Sequence, residues 1–325
     1  MKGSAQNGGR SVSPPAPGPI PSARLPIDPL LPEIVELLGR AGSAVVVAPP
    51  GAGKTTAVPP ALLEAPWRRD DERIVLLEPR RVAARAAAHR MSRLLGESGP
   101  GELVGYRTRL DTRVSPRTRI EVVTEGVLGR MLQSDPSLPG VGVVIFDEFH
   151  ERSIHADLGL ALTLEARSLF RDDLRVLVMS ATLAAEPVAE LLGGAPVVRS
   201  EGREHPVETR WSARPVTDRI EGAVARAVAA SLEVDEGDLL VFLPGVGEIR
   251  RTERLLDSMS LPEGVRVSPL HGSLAREAQD RALEPAGEVR RVILATSIAE
   301  TSLTIDGVRV VIDAGLMRVP RFDPG

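Results

Sequence analysis

Residues 45–56 read Val45-Val46-Val47-Ala48-Pro49-Pro50-Gly51-Ala52-Gly53-Lys54-Thr55-Thr56. Three β-branched residues end a short apolar run, a glycine-bearing turn follows, and a Lys-Thr pair opens the next segment. A phosphate-cradling loop has the form Gly, four residues, then Gly-Lys-Ser/Thr, set between a strand and a helix. Ala48 stands where the first glycine is usual, and the rest fits. Around Gly51, Ala52 and Gly53 the backbone can wrap so that its N–H groups face phosphate oxygens, and the helix that follows adds its positive N-terminal end. Lys54 is then expected to reach the β- and γ-phosphates of ATP, with Thr56 beside it and the Thr55 hydroxyl on Mg2+. The competing reading is a plain Gly/Pro turn between strand and helix. Lysine usage weighs against that: Lys occurs only at positions 2 and 54, so 38 of the 40 basic residues are Arg. A compact point charge and a planar fork are not interchangeable at a phosphate site.

Working outward, short runs rich in Val, Ile and Leu fall at 44–48, 73–77, 119–123, 143–147 and 175–179, separated by segments of helical character such as 80–95 and 156–169. Strands alternating with helices predict βαβ units and a parallel sheet, and near-continuous apolar strands predict burial on both faces. A break falls near 200–206. Beyond it the pattern resumes with a helix at 218–232, strands at 238–243, 265–270, 290–295 and 308–313, and a helix at 247–258. The expectation is two α/β domains, 25–202 and 203–325. The second stops at Arg321-Phe322-Asp323-Pro324-Gly325 with nothing to close its sheet, and so reads as incomplete. Residues 1–24, rich in Gly, Ser and Pro, read as a disordered leader.

The run Val143-Val144-Ile145-Phe146 ends in Asp147-Glu148-Phe149-His150. Two acids at the C-terminal end of an apolar strand lie on the sheet edge where ligands bind in open α/β folds. Asp147 is the candidate for holding Mg2+, and Glu148 for holding Mg2+ or orienting and deprotonating the attacking water. Alone, such a run is often a strand end meeting solvent; about 90 residues after the phosphate loop it gains weight.

Composition narrows the field further. The chain has no Cys, which excludes disulfides and thiolate metal sites and fits the cytosol. No apolar run approaches membrane-spanning length. Net charge is −4, yet residues 68–119 hold 13 Arg against 7 Asp plus Glu. That local excess suits phosphate contacts, although an Arg-rich genome would produce it too. Aromatics make up 2% of residues, so contact with a nucleic-acid backbone is favoured over base stacking.

Asp147-Glu148-Phe149-His150-Glu151-Arg152 resembles the DEAH box with Phe in place of Ala, and the phrase DEFHERSIHADLGL resembles the DEAH/RHA group of superfamily 2 helicases. The variants APPGAGKTT and DEFH resemble the bacterial HrpB-type branch. The resemblance covers roughly residues 25–320. It implies two tandem RecA-like (P-loop NTPase) domains with parallel sheets, ATP and Mg2+ in the cleft between them, and single-stranded nucleic acid, RNA favoured over DNA, across one face of a monomeric motor. It makes His150 of the box a catalytic residue alongside Lys54, Asp147 and Glu148.

Further motifs follow in family order. Glu78-Pro79-Arg80-Arg81-Val82-Ala83-Ala84 resembles motif Ia and Thr124-Glu125-Gly126-Val127-Leu128 motif Ib, which gives Arg80, Arg81, Thr124, Glu125 and Gly126 to the strand. Ser180-Ala181-Thr182 resembles motif III, with Ser180 and Thr182 coupling hydrolysis to strand movement. Leu240 to Gly245 resembles motif IV. Ala295 to Gly307 resembles motif V, with Thr301 on the strand and Asp306 on the nucleotide. Arg90 matches the arginine that stacks on the base, and Leu283 takes the place of the aromatic opposite. Each has a plainer reading: Arg80 and Arg81 as a solvated helix start, Thr124 as a helix cap. The order and spacing of the set favour the helicase reading. No QRxGRxGR string of motif VI occurs, so slow turnover is expected of this chain, since an arginine finger contributes about 10³–10⁵ in rate. The alternatives are a nucleotide-dependent binding fragment without efficient turnover and an ATPase motor acting on protein.

Overall fold

A computed structural model describes residues 25–182, 185–201, 206–212, 219–284, 287, 289–297 and 305–318. In chain order the first body carries α1 (Leu31–Ala41), β1 (Ser43–Val47), α2 (Lys54–Leu63), β2 (Arg73–Glu78), α3 (Arg81–Leu94), β3 (Val104–Arg107), β4 (Thr112–Arg113), β5 (Ile120–Thr124), α4 (Glu125–Ser134), β6 (Val141–Phe146), α5 (Ile154–Phe170), β7 (Arg175–Ser180), α6 (Glu186–Leu191) and β8 (Val197–Arg199). Its eight strands lie in the order β4-β3-β5-β2-β6-β7-β1-β8. Every pairing is parallel except β3 with β4.

The apolar runs become these strands because both faces are covered. Val46, Ile74, Leu76, Ile120, Val122, Val143, Ile145, Leu177 and Met179 face one core with Leu38, Leu62, Ala88 and Met91 of α1, α2 and α3. The alternating set, Val45, Val47, Val75, Leu77, Val123, Val144, Phe146, Val176 and Val178, faces a second core with Leu128, Leu160 and Ala189 of α4, α5 and α6. Side chains pointing alternately to two buried faces leave no polar positions, hence the continuous apolar reading. Glu121 is the exception inside β5. It is buried and paired at 2.7 Å with both Arg73 and Arg107, which satisfies its charge.

The second body carries α7 (Ile220–Val234), β9 (Asp238–Phe242), α8 (Val246–Asp257), β10 (Val265–Leu270), α9 (Arg276–Leu283), β11 (Arg290–Ala295) and β12 (Val308–Asp313). Among the described residues its sheet has four parallel strands in the order β10-β11-β9-β12. β12 lies at an edge, and exposure alternates along it. The α/β class, the parallel sheets and the long elements agree with the sequence expectations. The 1–24 leader and the terminal 319–325 segment lie outside the described residues, as does 202–205 within the expected break.

Candidate nucleotide site and strand face

The phosphate loop leaves β1 at its C-terminal end and enters α2 directly at Lys54. Gly51 and Gly53 have φ of +78° and +92°, left-handed backbone that other residues adopt at a cost. A Cβ on Gly53 would also lie 2.6 Å from Leu25 Cδ1, so the segment before α1 braces the loop from behind. The Ile27 N–H donates to Ala52 O at 3.1 Å, and the Ala48 N–H donates to Ser180 O at 3.0 Å. Lys54 and Thr55 are the first residues of α2, where backbone N–H groups have no intrahelical acceptor. That is the donor set an anion at a helix start requires.

Asp147 and Glu148 follow β6 directly, on the same sheet edge. Lys54 Nζ is 2.8 Å from Glu148 Oε1, both side chains being buried. The Thr55 hydroxyl donates to Asp147 Oδ2 at 2.5 Å, and the Glu148 N–H donates to Asp147 Oδ1 at 2.8 Å. Lys54, Thr55, Asp147 and Glu148 therefore form one cluster. Glu148 has φ of +48° and Arg152 φ of +52°, bracketing the single 3-10 turn of Phe149–Glu151. Two non-glycine residues in the left-handed region mark local strain of the kind held at working sites. Phe149, the variant residue of the DEAH-like string, is buried and meets the Phe146 ring edge-on at 6.2 Å between centroids. The aromatic thus packs the turn onto the second core of the large sheet.

Burial opposes the charge on Lys54, but Asp147, Glu148 and Glu78 outweigh it and hold the ammonium above its ordinary pKa. Burial raises Glu148 above the usual carboxylate value, Asp147 raises it further, and Lys54 works against both. Glu78 is a member the sequence reading left out of the cluster. It ends β2 beside β6, one step beyond the Leu77–Phe146 pair, which sets it next to Asp147. Burial pushes its carboxyl well above the ordinary range, and the neighbouring Asp147 pushes the same way. One of its oxygens, Oε2, is buried with no partner among the described residues. The signal was there: Leu76-Leu77-Glu78 is an apolar run ending in an acid, as Ile145-Phe146-Asp147 is.

His150 joins this cluster to Ser180-Ala181-Thr182. Its Nδ1 accepts from the Ala181 N–H at 3.2 Å and lies 3.3 Å from Glu148 Oε2. Nδ1 accepts only without a proton and donates to Glu148 only with one, so the two contacts exclude each other. Ser180 Oγ accepts from the Thr182 N–H at 3.2 Å and lies 3.4 Å from Thr182 Oγ1.

The residues expected on the strand are arranged differently from one another. Arg81 is exposed at the start of α3. Arg80 is engaged: its Nη1 donates to Ser297 O at 2.7 Å across the two bodies, and its Nη2 is 3.6 Å from Glu151. Thr124 precedes α4 but makes no side-chain capping bond, so the cap reading does not account for it. Glu125 accepts from the Ser153 hydroxyl, and Ser153 in turn caps α5 by accepting from the Ala156 N–H. Gly126 is exposed, and a Cβ there would meet nothing within 4 Å among the described residues. Arg90 and Asp306, both expected at the nucleotide, are bonded to each other at 2.8 Å. Thr301 lies outside the described residues.

A glycine-bearing loop feeding a helix at Lys54-Thr55, with two acids after β6 at the same edge of the sheet, two strands away, defines a P-loop NTPase fold in which a second parallel α/β body follows the first. The DEAD/DEAH box helicase domain matches residues 32–191 and the helicase conserved C-terminal domain matches 223–322. The chain thus carries both domains of a DEAD/DEAH box helicase. It is 51% identical over 301 residues to the ATP-dependent RNA helicase HrpB of Escherichia coli (strain K12), a match spanning 92% of this chain and 37% of that one. It is 37% identical over 309 residues to the pre-mRNA-splicing factor ATP-dependent RNA helicase prp22 of Schizosaccharomyces pombe, spanning 92% and 26%. A crystal structure of the Escherichia coli DEAH/RHA helicase HrpB superposes with a TM-score of 0.83 at 51% identity, over 92% of this chain and 38% of that one. The chain therefore spans well under half the length of these relatives.

Proposed function

We propose that this chain is the ATP-hydrolysing core of a nucleic-acid motor that moves along single-stranded RNA, working as a monomer in the cytosol, with domains at 25–202 and 203–325. The observation that carries the reading is the buried cluster of Lys54, Thr55, Asp147 and Glu148 at the C-terminal edge of β1 and β6.

Thr55 and Asp147 are the residues that would hold Mg2+. Their oxygens converge, and hard oxygen donors suit that ion. When bound, Mg2+ would neutralise charge on the β- and γ-phosphates of ATP. Gly51, Ala52, Gly53 and Thr56 offer backbone around the phosphates, while Arg90 and Asp306 lie toward the base. Lys54 must exchange its bond to Glu148 for the phosphates. That exchange frees a carboxylate whose raised pKa suits it to take a proton from water. His150, whose Nδ1 can donate to Glu148 or accept from the Ala181 N–H but not both at once, links this step to Ser180 and Thr182. On the strand face Arg80, Arg81, Thr124, Glu125 and Gly126, with Thr301, would grip the sugar-phosphate backbone. Open space at Gly126 leaves room for close approach.

Phosphate release from ATP, measured with and without single-stranded RNA, tests the reading. RNA should raise the rate, and in a form that also carries motif VI Glu148→Gln should lower it by about 10²–10⁴-fold while ATP still binds. A rate indifferent to RNA would favour a motor acting on protein, and binding without any release a nucleotide-gated binding fragment.

A further inference from the structure

Arg85 of α3 and Arg276 of α9 belong to neither the nucleotide site nor the strand face, yet each reaches from one body to the other. Arg85 is buried, and its Nη2 donates to Gln279 Oε1 at 2.7 Å. The orientation of that amide is set from the other side, because Gln279 Nε2 donates to His271 O at 3.2 Å and to Leu274 O at 3.1 Å. Arg85 Nη2 also lies 3.6 Å from Asp280 Oδ1. Arg276 Nη1 lies 2.8 Å from Asp111 Oδ2 in the turn between β3 and β4. The same oxygen accepts from the Tyr106 hydroxyl at 2.8 Å, and the Arg276 guanidinium sits 5.8 Å from the centre of the Tyr106 ring. Arg276 Nε is 3.6 Å from Asp280 Oδ2, which closes the chain.

Charges along this chain alternate in sign: Asp111, Arg276, Asp280, Arg85. The outer two belong to the first body and the inner two to the second. The first body presents minus then plus, and α9 presents plus then minus, so sliding one body past the other brings like charges together. Such a pattern selects one register more strongly than it adds stability. Arg85 Nε is buried without a partner among the described residues, so the contacts with Gln279 and Asp280 are what offset its burial. The location gives the register consequences. α3 begins at the Arg80-Arg81 pair, β5 leads to Thr124, and α9 is followed by β11 and Ser297.

The geometry points to Arg85 and Arg276 as positioning residues that lock α9 of the second body onto α3 and the β3–β4 turn of the first, setting the relative placement of the two bodies. This claim concerns placement and not turnover, so it stands or falls separately from the proposed nucleotide and strand chemistry.

The chain contains no Cys, so thiols introduced by Arg130→Cys on α4 and Asp257→Cys on α8, both exposed, are the only labelling sites for energy transfer between the bodies. Arg276→Ala and Asp111→Ala should each raise the open fraction about fivefold, as expected of a partly exposed charged pair. The double variant should open no further than either single, because both remove the same bond. Arg276→Lys, which keeps the charge, should regain most of the closed form, and Arg85→Ala should open the pair at least as far. Effects that multiply in the double variant, or transfer distributions unchanged in all three alanine variants, would overturn the proposal. Should Arg85→Ala fail to fold, the partly exposed Arg276 and Asp111 carry the test.

Discussion

Lys54 is the cation held beside Asp147 and Glu148, and its removal has two separable consequences. The phosphates lose a charge-assisted bond, so Lys54→Ala should weaken Mg2+-ATP binding about 10–100-fold. The carboxylates lose their counter-charge, and breaking a buried pair costs about 3–5 kcal/mol, so the melting temperature should fall as well. Titration at a temperature where both proteins are folded separates the two effects, and unchanged affinity there would remove Lys54 from the phosphates. Glu148→Gln should divide differently, with binding kept and turnover lost; binding and rate falling together would make Glu148 a structural or metal-holding group. Glu78 yields a prediction in pH. Its folded pKa lies well above the unfolded value, so the folded chain keeps a proton that the unfolded chain has released. Across that window unfolding releases a proton, and stability contributed below the unfolded pKa is lost as pH rises through the folded one. Glu78→Gln is neutral throughout. It should melt a few degrees above the parent in mildly alkaline buffer, with the gap closing toward the ordinary carboxylate range. A gap independent of pH would contradict a buried, protonated Glu78.

At the scale of elements, what could be read from the sequence follows from how much of each element is local. β1, β2, β6 and β7 are legible because burial on two faces leaves unbroken apolar runs, and their boundaries fall within two or three residues of the expected ones. The phosphate loop and the Asp147-Glu148 pair are legible because their chemistry is written within a few consecutive residues. β3 and β4 escape notice because the pair is short and carries Arg107, Thr112 and Arg113, with no apolar run to mark it. Glu78 was legible in principle, but its pairing with Asp147 depends on β2 lying beside β6, which one sequence does not reveal. The same holds for Arg80 and Arg90: motif position suggested ligands, and the fold engages both with the second body. α3 therefore offers a sharper test than the Arg80-Arg81 pair as a unit. Arg81→Ala should weaken RNA binding about equally across sequences and reduce the slope of log affinity against log salt by about 0.7. Filter binding at several salt concentrations reads this directly, and an unchanged slope would return Arg81 to the status of a solvated charge.

For the whole molecule, the arrangement is one of cations held by internal acceptors. Lys54 is on Glu148, Arg90 on Asp306 and Arg80 on Ser297 O. Two of these three bonds cross between the bodies, so nucleotide and strand would each displace contacts that fix domain placement. Two ligands that bias the same placement are linked, and linkage is reciprocal. The second body's edge strand β12 and the family match ending at residue 322 belong to a chain spanning 37% of its Escherichia coli relative, and this linkage requires only residues within that span. The decisive measurement is the affinity of a short single-stranded RNA for the chain by fluorescence anisotropy, with and without a saturating non-hydrolysable ATP analogue and Mg2+, paired with the reverse titration of the analogue with and without RNA. A motor core of the kind proposed shifts RNA affinity by about 5–150-fold and shifts nucleotide affinity by the same factor. Two ligands that both bind, each with an affinity untouched by the other, would contradict it.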